Sequence, residues 1–166
     1  MADEEQAAAG AGQQAPQQQF ALQRIYAKDL SFESPATPGV FQKQWQPKVN
    51  VDLNTRSEKI NDQGNFEVVL TITITAKLDE ETVFLVEVHQ AGIFLNPGFN
   101  DDALRRIVGP AAPPILFPYA RENIDSVCVK GGFPPIMLAP VNFEALYQQA
   151  LAQQQGNPPA EEPATH

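Results

Sequence analysis

From 65 to 78 the chain reads NFEVVLTITITAKL, with Phe66, Val68, Leu70, Ile72, Ile74, Ala76 and Leu78 at every second position and threonine dominating the positions between. Side chains alternate across a strand with a period of two, so this segment is a strand with one wholly apolar face. Such a face demands a second layer of structure to cover it. Asn61-Asp62-Gln63-Gly64 ahead of it has tight-turn chemistry, and Asp79-Glu80-Glu81 behind it reverses the chain. Residues 48–60 place Val49, Val51 and Leu53 on one parity and Lys48, Asn50, Asp52 and Asn54 on the other, which predicts another strand. Residues 82–94 are apolar on both parities apart from Glu87, His89 and Gln90. Residues 20–33 alternate imperfectly, with Phe20, Leu22, Tyr26, Leu30 and Phe32 set against Ile25, Asp29 and Glu33. Four strands in succession predict an antiparallel sheet.

After Leu95-Asn96-Pro97-Gly98 the apolar period lengthens. A short helix is expected over 101–108. A second, with Pro118 near its first turn, carries Phe117, Ala120, Ile124 and Val127 and ends at Gly131-Gly132. Asn142 caps a third that carries Phe143, Leu146, Tyr147, Ala150 and Leu151. Strands followed by helices give an α+β fold, a four-stranded antiparallel sheet with helices packed on one face. Residues 1–19 are rich in glutamine and alanine, and 153–166 in proline and glutamate. Both read as disordered tails around one folded domain at 20–152.

Twenty acidic side chains against eleven basic ones leave a net charge of -9. That balance excludes a nucleic-acid binder, which needs a clustered basic surface to displace counterions. One cysteine, Cys128, and an N-terminus without a secretory pattern point to the cytoplasm. No apolar run is long enough for membrane insertion. His89 and Cys128 have no motif that joins them, so no catalytic residue is expected. Two histidines, one of them in the C-terminal tail, do not make a closed metal site, and no phosphate-binding loop is present, so no metal or cofactor is expected. The unexplained feature is apolar surface: Phe41 and Trp45 in the loop 34–47, Phe133, Ile136 and Met137 in another, and a strand apolar on both sides. Contiguous surface of this kind signals self-association or a recognition surface. Asp29 and Glu33 share a strand face, about 13 Å apart, and Leu85 shares another with Glu87.

QRIYAKDLSFE, FQKQWQP, the threonine-rich strand, GIFLNPG, ILFPYARE and GGFPPIMLAPVNFEALY together resemble the SecB protein-export chaperones of bacteria, from about Phe20 to Leu151. The resemblance implies a homotetramer, a dimer of dimers with helices sandwiched between sheets. It implies a cytoplasmic, nucleotide-independent holdase that keeps secretory precursors unfolded and delivers them to the SecA motor. Phe41, Trp45, Val49, Val51 and Leu53 would line the client groove. Asp29, Glu33, Leu85 and Glu87 would dock the motor's basic, zinc-carrying tail, the zinc belonging to the partner. Two alternatives stand beside it: a SecB-like chaperone of a toxin-antitoxin system, and a small-ligand binder or enzyme that uses His89 or Cys128.

Overall fold

The structure is a computed structural model that describes residues 20–95 and 101–156. The tail expected at 1–19, and the part beyond 156 of the tail expected at 153–166, lie outside the described residues. Four strands, β1 (Ala21–Glu33), β2 (Lys48–Lys59), β3 (Asn65–Leu78) and β4 (Glu81–Leu95), form one sheet in the order β1-β4-β3-β2. Every neighbouring pair is antiparallel. Two helices follow, α1 (Asp101–Lys130) and α2 (Phe143–Gly156). Among the described residues no helix is long and apolar enough to cross a membrane. The expected α+β class holds, and α2 continues past Gln153 to Gly156.

Because β1 pairs with β4 and not with β2, the chain between them must cross from one sheet edge to the other. That crossing is the proline-rich segment 34–47. Ser34 Oγ donates to the Val83 carbonyl at 3.0 Å at its start, and Val40 is buried in a short 3-10 turn at its middle. The rings of Phe41 and Trp45 lie 5.3 and 5.4 Å from the ring of Phe133, and Trp45 also stacks on Phe84 at 6.3 Å. Part of the loop's apolar content therefore folds back on the core, whereas Phe41 remains 54% exposed and Met137 65%.

β1 departs from simple alternation. Register shifts between Leu22 and Arg24 and between Ala27 and Asp29 each insert one residue into the ladder with β4. An inserted residue flips the side chains that follow to the other face. Ile25, expected to point away from the core with Asp29 and Glu33, packs against it instead. Tyr26, expected inside, reaches Glu67 on the outer face.

The helices correct the expectation of three. A helix at 101–108 and one beginning near Pro118 are a single element of 30 residues containing Pro110, Pro113, Pro114 and Pro118. An interior proline costs about 3 kcal/mol, which is why the isolated sequence suggests breaks. The sheet supplies what outweighs that cost. Val108, Ala112, Leu116, Ala120, Ile124 and Cys128 recur every fourth residue, and each is 1% exposed or less. Burial stabilises by roughly 1.5–3 kcal/mol for each large aliphatic member of such a stripe. Pro113 is itself buried and joins the contact.

Among the described residues Gln90 is the one buried polar side chain of the core. Its Nε2 donates to the Tyr26 carbonyl at 3.0 Å, and its Oε1 accepts from Asn123 Nδ2 at 2.9 Å. The pair ties β1, β4 and α1 in one register with both amides satisfied. Asn142 caps α2 as its sequence position suggests, its Oδ1 accepting from Ala145 N at 3.0 Å. The Tyr147 ring lies so close to Gly109 that a Cβ there would sit 2.5 Å from it, which seats α2 on α1. Truncating Ile124 to alanine removes the central anchor of the stripe and is expected to lower stability by about 2–5 kcal/mol in urea unfolding followed by circular dichroism.

Candidate functional site

The ladders decide which side chains share the face opposite the helices. Across β1 and β4, Asp29 pairs with His89, Ser31 with Glu87, and Glu33 with Leu85. Across β4 and β3, His89 pairs with Thr71, Glu87 with Thr73, and Leu85 with Thr75. Directly paired residues project from the same side of a sheet. Asp29, Glu33, Leu85 and Glu87, read from separate stretches of sequence, thus meet on one face. Asp29 and Glu33 are exposed, and Leu85 and Glu87 half-buried.

Glu87 is held from two sides. Thr73 Oγ1 donates to its Oε2 at 3.2 Å, and His89 Nε2 donates to its Oε1 at 2.8 Å. The His89 hydrogen bond is the first cause holding this carboxyl below the usual range. His89, expected only as a residue of the sheet surface or an interface, is therefore part of the acidic cluster. The spacing of Glu87 and His89 along one strand puts both on one face, but nothing in the sequence brings Asp29 to them, because it lies on a different strand.

A second network closes the same face toward the β3 turn. Tyr26 Oη donates to Glu67 Oε1, and Lys28 Nζ lies 2.6 Å from Glu67 Oε2. Hydrogen bonds from Lys28 and then Tyr26 hold the Glu67 carboxyl below its usual range. Burial first, and then Glu67, push the Tyr26 hydroxyl up to about 12.

Two clefts open on the helix side, the larger with a mixed polar and apolar lining and the other mainly apolar. A cleft of about 1240 Å³ opens between β2, α1 and α2 and is lined by Val51, Leu53, Val108, Pro113, Leu146 and Tyr147 among others. Another, of about 920 Å³, lies between α1 and the chain entering α2, against Phe117, Val129, Val141 and Phe143. The structure brings Val51 and Leu53 into the first cleft. Phe41 and Trp45 sit instead around Phe133, beyond the C-terminal end of α1. Val49 is 41% exposed on β2 between the two groups. What sequence reading missed is the wall made by α2, whose Leu146 and Tyr147 had only a stripe to recommend them.

Cys128 is buried on the sheet-facing side of α1, and burial followed by Asp125 pushes its thiol up to about 11. His89 stands on the other face of the sheet. A thiol so hard to ionise, with no imidazole in reach among the described residues, makes a poor nucleophile.

A family model, Preprotein translocase subunit SecB, matches residues 13–154. The chain belongs to the SecB family. Protein-export protein SecB of Hahella chejuensis is 56% identical over 152 residues, covering 90% of this chain and 95% of that one. The protein of the same name from Marinobacter nauticus is 54% identical over 155 residues, covering 93% and 92%. With membership comes the family's work as a chaperone of protein export. The fold is also that of the SecB-like chaperone of Mycobacterium tuberculosis, solved in complex with a peptide from the HigA1 antitoxin. That likeness has a TM-score of 0.62 at 14% identity and covers 74% of this chain and 90% of that one. The relatives above 50% identity carry the export name, so the antitoxin-linked alternative is not favoured.

Glu67 generates a pH test for this SecB-family chain. Its carboxyl is lowered in the folded state, so its contribution is complete above the unfolded carboxylate pKa of about 4.3 and is lost as pH falls through the folded value. Lys28 is 41% exposed, which limits the pair to about 1 kcal/mol. Glu67→Gln should lower the unfolding midpoint at pH 7, and the gap to the parent should close as pH drops below about 4.

Proposed function

We propose that this chain is a cytoplasmic, ATP-independent holdase that keeps secretory precursors unfolded and passes them to the SecA motor. The observation that carries the reading is the separation of two unlike surfaces by one sheet. The helix side offers clefts with apolar walls at Val51, Leu53 and Leu146 and exposed Phe41, Val49 and Val51, and the outer side offers Asp29, Glu33, Leu85 and Glu87 in register. A client and a motor can therefore be held at once, without competing for the same side chains.

An unfolded precursor presents apolar side chains and unpaired backbone groups. β2 is an edge strand and leaves one row of its own N–H and C=O groups without a strand partner. An extended client segment would lie along β2, with side chains reaching toward Phe41 and Trp45 at one end and toward the Val51 and Leu53 cleft at the other. Burial of apolar area tolerates many sequences, as a chaperone requires. The motor would be bound through a short basic tail carrying its own zinc. Each chain's charge of -9 steers such a tail toward the acidic face at low salt.

The assembly would be a homotetramer, a dimer of dimers. Tyr119 and Val129 are 51% and 57% exposed on the solvent side of α1, beside the 920 Å³ cleft, and a second copy would cover them. The chain would perform no catalysis of its own and need no cofactor, a reading supported by the placement of His89 and Cys128 on opposite sides of the sheet.

Light scattering is expected to give a particle near four times 18.2 kDa. The same sample, without nucleotide, should suppress aggregation of a slowly folding precursor at stoichiometric amounts. An inactive monomer would overturn the proposal. Glu33→Lys combined with Leu85→Ala should weaken binding of the motor's isolated tail by about tenfold in calorimetry, with holdase activity intact. Phe41→Ser should do the reverse, raising the amount of chaperone needed to hold a client while tail binding stays unchanged.

A further inference from the structure

The outer face carries a cluster whose donor set goes beyond an acidic docking surface. Asp29, Glu87 and His89 each offer one ligand atom, and all of these atoms lie within 4.8 Å of one another. They come from adjacent strands of a paired sheet, Asp29 directly across the ladder from His89, and Glu87 two residues along the same face of β4. The backbone that sets their spacing is thus fixed by hydrogen bonds on both sides of β4.

We propose that Asp29, Glu87 and His89 form a binding site for a divalent transition cation, with zinc as its natural probe. Bonds of about 2.0–2.2 Å to nitrogen and oxygen put two ligands of a tetrahedral zinc about 3.4 Å apart. The present spacing reaches that value by small side-chain rotations at partly exposed positions, with no change in the strands. Glu87 Oε1 already faces His89 Nε2 at 2.8 Å, joined by a hydrogen bond that a cation between them would replace. On binding, the ring takes its Nδ1–H tautomer and Nε2 turns its lone pair to the cation. Thr73 Oγ1, donating to Glu87 Oε2 at 3.2 Å, holds the carboxylate with the other oxygen turned toward the histidine. Support of this kind from a neighbouring side chain is what ligating carboxylates commonly have.

The donor chemistry selects the class of ion. Magnesium and calcium favour all-oxygen shells, whereas one imidazole with two carboxylates suits zinc and its first-row neighbours. Among the described residues Asp29 has no hydrogen-bond or ion-pair partner, so no existing cation pair need be broken for it to turn inward. Three protein ligands leave at least one position on the ion open to water or to a donor from another molecule.

Two of the three residues also belong to the proposed motor-docking surface, so the test uses the full chain alone. Zinc chloride is titrated into the protein by calorimetry, beside His89→Gln, Asp29→Asn and His166→Ala, with circular dichroism to verify that each variant is folded. The expected result is saturable binding of one equivalent per chain, weakened at least about tenfold in His89→Gln and in Asp29→Asn and unchanged in His166→Ala. Absence of saturable binding by the parent, or equal binding by parent and His89→Gln, would overturn the site. Either of those results leaves the Glu33 and Leu85 docking experiment untouched, and a failure of docking leaves the zinc titration standing.

Discussion

The rest of the structure depends on the contact between α1 and the apolar face of β3 and β4. Ile72, Ile74, Val86 and Val88 are wholly buried on that face, and Leu116 and Ile124 are wholly buried against it from the helix. Without the helix the central strands would expose a continuous apolar surface, and without the sheet a helix with four internal prolines would have little reason to stay whole. Each element is conditional on the other. Gln90 and Asn123 add a polar lock at the same interface that allows one register of helix on sheet.

Covering one face with helices leaves the other for polar chemistry, and the function proposed for this SecB-family chain rests on that division. Threonines at 71, 73 and 75 space the outer face of β3, and the carboxylates of β1 and β4 gather beside them. The helix side keeps its hydrophobic residues partly uncovered at β2 and the crossover loop. The sheet thus separates a surface with uncovered hydrophobic residues from one that gathers carboxylates. Binding on one need not disturb the packing of the other.

Much of the fold was legible because local and tertiary demands agreed. β3 and β4 alternate or run apolar as their burial requires, β2 forms where its alternation predicts a strand, the turns at 61–64 and 79–80 carry turn residues, and Asn142 caps α2 as its position suggests. Legibility failed where a single residue changed the count. Two bulges in β1 exchanged the expected faces of Ile25 and Tyr26, and no property of those side chains marks an insertion in the ladder. It failed again at α1, where proline chemistry is local and the burial that outweighs it is not. The expected client residues fell into two groups, one around Phe133 and one at the α2 cleft, because loop packing follows from neighbours distant in sequence.

By itself the sequence determined the class of fold, the position of the four strands, the acidic balance and the family, since each depends on pattern or composition along the chain. The tertiary structure alone decided which carboxylates meet, that His89 stands among them, that α1 is continuous, and that His89 and Cys128 are separated by the sheet. The physical reason is register. Pairing β1 with β4 sets Asp29 opposite His89, and a shift of one residue would send one of them to the other face.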